Sequence, residues 1–131
     1  MIEKIIFIYE EANPLGEWMH RYDDVYLTFS CEKERKEKVR KTFAYLTSNK
    51  GRIDCDFVHF CFDDGTSICC EAKREVIWHD DHTYTTYEKT GLIEVTRHDE
   101  RGNSDVPYLI DAATLRRQMY AACNEPKEVA A

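Results

Sequence analysis

The sequence predicts an α+β fold, in which one twisted antiparallel β-sheet of about five to seven strands packs against two helices. Three observations lead to this prediction. The 131-residue chain has the length of a single domain. Its first half changes from apolar residues at helical spacing to strict alternation of apolar and polar residues. After that change, turn-forming residues separate several short alternating runs, which is typical of a meander.

The N-terminal part predicts two strands joined by a loop. Residues 2–9 combine β-branched and aromatic side chains and predict the first strand. Residues 10–22 contain Pro14 and Gly16, which indicate a loop. Residues 24–29 alternate along the chain and predict the second strand.

The first helix is predicted over residues 31–47, with Ser30 as its N-cap. Its C-terminal half is predicted to attach the helix to the rest of the domain, because Val39, Phe43 and Leu46 repeat at helical spacing. Its N-terminal half is almost wholly charged. The i,i+4 Glu–Lys pairs of that half favour a helix that stands in water without a partner.

The centre of the chain predicts the rest of the sheet. Residues 53–62 alternate, with Val58 and Phe60 on one face and His59 on the other. The Asp-Asp-Gly sequence of residues 63–65 predicts a hairpin turn. Further strands are predicted at residues 66–72, 75–78, 83–88 and 92–97, with turns at 80–81 and 89–91.

A second helix is predicted over residues 111–124, with Asp111 as its N-cap. Its apolar side is formed by Leu115, Met119 and Cys123. Pro107 lies in a short linker before this helix. The domain is expected to cover residues 1–125, and residues 126–131 are expected to form a mobile tail.

Composition predicts a protein of the cytoplasm. No stretch approaches the roughly 20 apolar residues of a membrane span, and the N-terminal apolar run lacks the cationic leader of a signal peptide. The six cysteines are therefore expected to be reduced thiols used as small core residues. None of the five glycines belongs to a phosphate-binding loop, and no cofactor is expected.

The charge of the chain is uneven. The net charge is −7, but residues 32–41 carry +3 and the remaining residues carry −10. An anionic body repels phosphate, so we do not expect direct binding of nucleic acid. A basic protein or a nucleoprotein complex is the better partner.

Acidic pairs recur at predicted turns and strand ends, with aromatic residues among them. Aromatic rings supply area at the centre of an interface, and carboxylates steer a basic partner toward it. We therefore expect a small acidic binding antagonist rather than an enzyme, such as a phage or mobile-element inhibitor of a host complex or a toxin-immunity protein. The other interpretation is a plain solubilising surface. The predicted partner-binding residues are Asp63, Asp64, Trp78, Asp80, Asp81, Tyr84, Tyr87, Asp99 and Glu100.

Residues 68–73, an apolar strand that ends in Glu-x-Lys, resemble the core of the PD-(D/E)xK nuclease superfamily. The resemblance implies a Mg²⁺-dependent nuclease as an alternative function. In such a site Glu71 and an upstream acid, Asp56 or Asp64, would hold the ion, and Lys73 would position the attacking water. The other interpretation is an edge strand whose Glu71 and Lys73 oppose aggregation.

Two further possibilities stay open. His79, Asp80 and His82 have the ligand types of a divalent metal site, but no complete metal-binding motif surrounds them, and the other interpretation is a solvated polar turn. The charged helix of residues 32–41 is a candidate docking face for a regulatory or structural subunit.

Overall fold

The computed structural model describes residues 1–12, 14–27, 31–48, 57–78 and 85–123. In this part of the chain, one antiparallel sheet of six strands packs against two helices, which confirms the predicted α+β single domain. The elements are β1 (Ile2–Ala12), β2 (Trp18–Tyr26), α1 (Glu32–Thr47), β3 (Phe57–Phe62), β4 (Ser67–Trp78), β5 (Thr85–His98), β6 (Tyr108–Asp111) and α2 (Ala112–Ala121). The strand order is β2-β1-β3-β4-β5-β6, and every neighbouring pair is antiparallel.

The hydrophobic core lies between the helices and one face of the sheet. Directly paired residues share a face of the sheet, and the pairs Ile5–Phe60 and Cys70–Val95 are buried on this one. Both helices pack on this face and contact each other. The predicted apolar sides of the two helices are confirmed as buried: Val39, Phe43, Leu46, Leu115, Met119 and Cys123.

The predicted loop over residues 10–22 is wrong. β1 continues to Ala12 and pairs there with Trp18 of β2, so a short turn joins the two strands. Turn-forming residues mark where a chain reverses. The cross-strand pairing of the flanking residues decides how short the connection is.

The hairpin predicted at residues 63–65 is confirmed. β3 and β4 are antiparallel across this turn, and Gly65, with a φ of 87°, adopts a left-handed conformation that other residues rarely take. The described strand buries Val58 and Phe60, as the alternation predicts. Residues 53–56 of the predicted strand lie outside the described residues.

The strands predicted separately at residues 66–72, 75–78, 83–88 and 92–97 correspond to two long strands in the structure, β4 and β5. β4 and β5 pair along most of their length, and the predicted turn at residues 89–91 lies inside β5. The register shifts between the pairs Ala72–Ile93 and Arg74–Lys89, which is a β-bulge with extra residues on β5. A bulge bends the strand without ending it. The turn signal at these positions therefore marks the bulge.

The last strand was missed, whereas the second helix is confirmed. β6 forms just after Pro107 and pairs its Tyr108 with Val95 of β5. Asp111 caps α2, because its Oδ2 accepts from the Thr114 backbone N–H at 2.9 Å. The helix ends at Ala121 rather than at residue 124. The predicted tail, residues 126–131, lies outside the described residues.

The start of α1 differs from the prediction in two respects. Ser30 lies outside the described residues, and the N-cap position belongs to Cys31, whose side chain makes no capping hydrogen bond. The charged half of the helix does not stand wholly in water. Arg35 is only 3% exposed, and its Nε donates to the Leu27 carbonyl oxygen at 3.1 Å.

Candidate functional site

Two acidic turns from different parts of the chain meet at one end of the sheet. They lie side by side because Ser67 at the start of β4 pairs with His98 at the end of β5. A Cβ atom added to Gly65 would lie 3.3 Å from Cβ of Glu100, so the two turns are in contact. We call the exposed carboxylates of this region the acidic end: Asp63, Asp64, Asp99, Glu100 and Asp105.

Local bonds hold the carboxylates of the first turn. Asp64 Oδ1 accepts from the Thr66 hydroxyl at 2.6 Å and from the Thr66 backbone N–H at 2.9 Å. Because these bonds favour the ionised form, they lower the pKa of Asp64. Asp63 Oδ1 lies 3.1 Å from the N-terminal ammonium of Met1. The charge of Asp64 is therefore both present and oriented at neutral pH.

The second turn is built around Asp99. Its Oδ2 accepts from the Asn103 side-chain amide at 3.0 Å, and its Oδ1 accepts from the backbone N–H groups of Asn103 at 2.8 Å and Arg101 at 2.9 Å. The bond from the Asn103 side chain, followed by the backbone bonds, lowers the pKa of Asp99. Asp99 therefore orders its own loop and also contributes a fixed negative charge to the acidic end.

A cavity of about 400 Å³ opens beside the acidic end, between the sheet and α2. Ligand-binding cavities of proteins start at about this volume. Arg97 forms part of the lining, and its guanidinium lies 5.7 Å from the Tyr108 ring centroid. The cavity thus combines apolar walls with a few polar groups. Its lining includes Phe62, Ile68, Arg97, Asp105, Tyr108 and Met119.

Two of the predicted aromatic residues, Trp78 and Tyr87, lie at the other end of the molecule. Trp78 and Tyr87 are 79% and 60% exposed in the distal part of the β4–β5 hairpin. We call Val76, Trp78 and Tyr87 the aromatic arm. Trp78 lies about 36 Å along β4 from Ser67 at ~3.3 Å per residue. The structure therefore separates the predicted partner-binding residues into two groups; Asp80, Asp81 and Tyr84 lie outside the described residues.

The sheet face opposite the helices is a surface that sequence reasoning missed. We call it the open face. Its half-buried positions on β1 and β3 include Ile6, Ile8 and Cys61, which share one side with His59 and Cys69 by strand register. The signal was present in the sequence, because β1 is apolar at consecutive positions rather than at alternate ones.

Two histidines lie on the open face. The rings of His59 and His98 stack with centroids 6.2 Å apart and an interplanar angle of 11°. Burial, and then the charge of His98, lowers the pKa of His59, so this imidazole is neutral at neutral pH. Nδ1 of His98 lies 2.8 Å from the Ser104 hydroxyl. The open face therefore carries neutral His59 among its apolar residues.

The Glu-x-Lys residues also lie on the open face, where they form an ion-paired group. Glu71 and Glu94 are directly opposite on β4 and β5, and Lys73 Nζ lies 3.7 Å from one carboxylate and 3.3 Å from the other. Lys73 thereby offsets the repulsion of a like-charged cross-strand pair. Asp64 is not brought to Glu71, because it precedes β4, whereas Glu71 lies at least about 13 Å along that strand at ~3.3 Å per residue.

The nuclease candidates do not form a three-ligand site in the part of the chain that the structure describes. In the five described stretches of the chain, no three His, Cys, Asp or Glu side chains are grouped to hold a metal ion. Asp56, the other proposed upstream acid, lies outside these stretches. The same is true of His79, Asp80 and His82.

Cysteine reactivity is expected to differ sharply between surface and core. The five described cysteines are free; Cys31 is exposed, whereas Cys70 is fully buried and burial raises the pKa of its thiol. Only the thiolate reacts. At pH 8 an aromatic disulfide reagent should modify Cys31 at least about 100-fold faster than Cys70, as followed by peptide mass spectrometry. Similar rates at both residues would contradict the burial of Cys70.

Comparison with known protein families, curated proteins and solved structures found no match to this chain. Neither helix in the described part of the chain is long and apolar enough to cross a membrane.

Proposed function

We propose that this protein is a small acidic binding antagonist, rather than an enzyme, and that it docks on a basic protein or nucleoprotein complex through the acidic end. One observation carries the proposal: two acidic turns that are far apart in sequence are in contact. Hydrogen bonds within the turns fix the carboxylates of Asp64 and Asp99 before any partner arrives. Fixed charges lose little freedom on binding, which favours affinity.

The electrostatics of the acidic end suit this role. A protein with a net charge of −7 attracts cationic surfaces at a distance, and exposed carboxylates orient the encounter. Arg97, Arg101 and the N-terminal ammonium of Met1 lie in the same region and reduce its charge without cancelling that of the five carboxylates. The adjoining cavity offers apolar walls to an anchoring side chain of the partner, as interface hot spots require.

Two versions of the antagonist fit these features. One is a phage or mobile-element inhibitor that covers the nucleic-acid-binding surface of a host complex. The other is an immunity protein that covers the cationic site of a toxin. Both versions would act in the cytoplasm, where reduced thiols such as the free Cys61 and Cys69 are stable.

An affinity capture tests the class of function. The tagged full chain is incubated with lysate of the producing or host cell, washed at low and at moderate salt, and its bound proteins are identified by mass spectrometry. We expect a stoichiometric partner with a basic surface that is lost as salt rises, because salt screens exposed charges. Capture of a partner that resists salt and has no basic surface would count against the proposal.

A charge-removal variant then tests the site. Asp63→Asn, Glu100→Gln and Asp105→Asn together remove three charges and leave the turn-forming Asp64 and Asp99 in place. The association rate constant with the captured partner is expected to fall at least about 10-fold at low ionic strength, with a flatter salt dependence, measured by stopped-flow fluorescence.

A matched control separates the acidic end from net charge. Glu34→Gln, Glu75→Gln and Glu88→Gln remove the same number of charges from exposed positions on α1 and the β4–β5 hairpin. At an ionic strength of about 0.15 M, where the Debye length is about 8 Å, this control should leave the association rate within about twofold, whereas the acidic-end variant should still be slower. Equal losses in both triple variants would show that total charge, and not the acidic end, governs association.

The nuclease alternative rests on the pair of carboxylates beside Lys73. Glu71 and Glu94 face the same side of the sheet, as two ligands of one ion would have to. Cleavage of DNA or RNA that needs Mg²⁺ and disappears in Glu71→Ala would favour this alternative over the antagonist. Persistent inertness over several substrates and metals would remove it.

The charged-helix alternative predicts docking through α1. Lys36 already pairs with Glu32, with 2.7 Å between Nζ and Oε1. Substituting Lys36 would also break this pair, so Lys38 and Lys41 are the better positions at which to test docking through α1. Reversing their charges should weaken binding of the captured partner if α1 is the docking face. Under the antagonist proposal, the same reversal leaves the contact at the acidic end intact.

A further inference from the structure

The cavity beside the acidic end lies where the hydrophobic core reaches the surface. Ile68 and Met119 in its wall belong to the core and are 8% and 6% exposed. Phe62 and Tyr108, also in the wall, are partly buried and pack against the same core. An occupant of the cavity would therefore cover apolar surface at the edge of the core, and the hydrophobic effect favours an apolar group there.

Four side chains of the wall favour an aromatic group over an aliphatic one. The rings of Phe62 and Tyr108 can form stacked or edge-to-face pairs with another ring. The thioether of Met119 makes favourable contacts with ring edges. The guanidinium of Arg97 is exposed and lies 5.7 Å from the Tyr108 ring centroid, and its planar group has a second face on which a ring can stack. A leucine side chain would gain only contact area.

The size of the cavity fits one side chain of this kind. Its volume is about 400 Å³. This volume lies near the lower end of the range for small-molecule sites, about 300–1,000 Å³. A site of this size accommodates one aromatic ring and the short segment that carries it, rather than a large cofactor.

The charges around the cavity select a cationic neighbourhood for that ring. Asp99 and Asp105 line the cavity, and in its described lining Arg97 is the only group of permanent positive charge. The other carboxylates of the acidic end lie beside it and add to the negative potential. An anionic ligand would be repelled here, whereas basic residues next to the ring would be attracted.

We propose that the cavity holds an aromatic side chain of the basic partner, carried on a segment in which basic residues flank the ring. The inference rests on the proposed function and deepens it, because it names the residue type at the centre of the interface. The ring would contact Arg97, Tyr108 and Met119, and the flanking cations would face Asp99 and Asp105. An apolar centre with a charged rim is the usual arrangement of a protein interface.

Short peptides test the inference on the full chain. The probe is acetyl-KKFKK-amide, and its controls are acetyl-KKLKK-amide, which lacks the ring, and acetyl-EEFEE-amide, which reverses the flanking charges. By isothermal titration calorimetry at low ionic strength, we expect the phenylalanine peptide to bind at least about 5-fold more tightly than the leucine peptide. The glutamate peptide should not bind.

The methyl group of Met119 reports where the ring lies. In a spectrum of the protein labelled at its methionine methyl groups, the ring current of the phenylalanine peptide should shift the Met119 resonance. Met19 is 52% exposed near the distal end of β2, outside the cavity lining, and its resonance should not move. Binding that leaves Met119 unshifted would place the ring elsewhere.

Two substitutions test the wall of the cavity. Gln118→Trp, at an exposed position of α2 in the lining, supplies a ring from the protein itself and should raise the dissociation constant of the phenylalanine peptide at least about 10-fold. Ala121→Trp, exposed on the same helix and outside the lining, is the matched control and should leave it unchanged. Arg97→Lys keeps the charge but loses the planar group, and it should reduce the preference for phenylalanine over leucine to about twofold or less.

The outcomes separate this inference from the proposed function. Equal affinity for the phenylalanine and leucine peptides would overturn the aromatic anchor, even if affinity capture finds a basic partner that needs the acidic end. Binding of 2-phenylethylamine as tight as that of the phenylalanine peptide would make the cavity a small-ligand site and would also overturn the inference. Capture of a partner without a basic surface would instead count against the proposed function, whatever the peptides show.

Discussion

Replacing Phe60 with alanine is expected to lower the free energy of unfolding by about 3–5 kcal/mol, the range for removing a buried aromatic ring. Phe60 is fully buried on the third strand in sheet order, and its ring stacks on Phe43 of α1 with centroids 5.9 Å apart and an interplanar angle of 18°. The variant therefore removes a ring contact between the first helix and the middle of the sheet. Equilibrium urea denaturation, followed by far-UV circular dichroism, measures the loss.

A control on the same strand separates burial from ring size. Phe57 lies on the open face and is only half-buried, so Phe57→Ala should cost less than half as much as Phe60→Ala. Both variants should keep the denaturant dependence of the wild type, since a changed slope would indicate a different unfolded or native state. Equal losses at the two positions would contradict the assignment of the core to the helix-covered face.

The two phenylalanines also show what alternation can predict. A strand has a side-chain period of two, so the sequence alone places Phe60 and Val58 on one face and His59 on the other. The helical spacing of Val39 and Phe43 likewise identifies the face that α1 buries. These features are local, and they are correct in the structure.

Features that depend on pairing between distant residues could not be read in the same way. The turn signal at residues 89–91 is real, but pairing with β4 converts it into a bulge, and Gly91, with a φ of 84°, lies within it. β6 has only four residues and exists because β5 offers it an edge. Neither the bulge in β5 nor the formation of β6 can be predicted from a short stretch of sequence, because both depend on a distant strand.

The sequence identified residues of the candidate site, but it did not predict which of them lie close together. The carboxylates Asp63 and Asp99 were identified at turns, but their proximity depends on the antiparallel order of β3, β4 and β5. The same order moves Trp78 and Tyr87 to the opposite end of the molecule. Sheet order is a global property, and the alternating pattern of each strand is compatible with many orders.

Truncating Arg35 to alanine is expected to lower the free energy of unfolding by about 2–4 kcal/mol, the second large effect that we predict. Arg35 lies four residues before Val39, on the same stripe of α1 as Phe43 and Leu46, so its methylenes pack where an apolar side chain would. Alanine removes that packing and also leaves the buried Leu27 carbonyl without its donor at 3.1 Å. Urea denaturation of the full chain measures the effect.

Two further substitutions separate the packing of Arg35 from its charge. Nη1 is buried and finds no hydrogen-bond partner in the described part of the chain, so the guanidinium is only partly compensated. Arg35→Met keeps the volume and removes this cost, and it should be clearly less destabilising than Arg35→Ala. Arg35→Lys keeps the charge but loses the Nε geometry, and it should be no better than methionine. If lysine matched the wild type while methionine matched alanine, the charge of Arg35 would be the stabilising feature, and its packing on the stripe would be secondary.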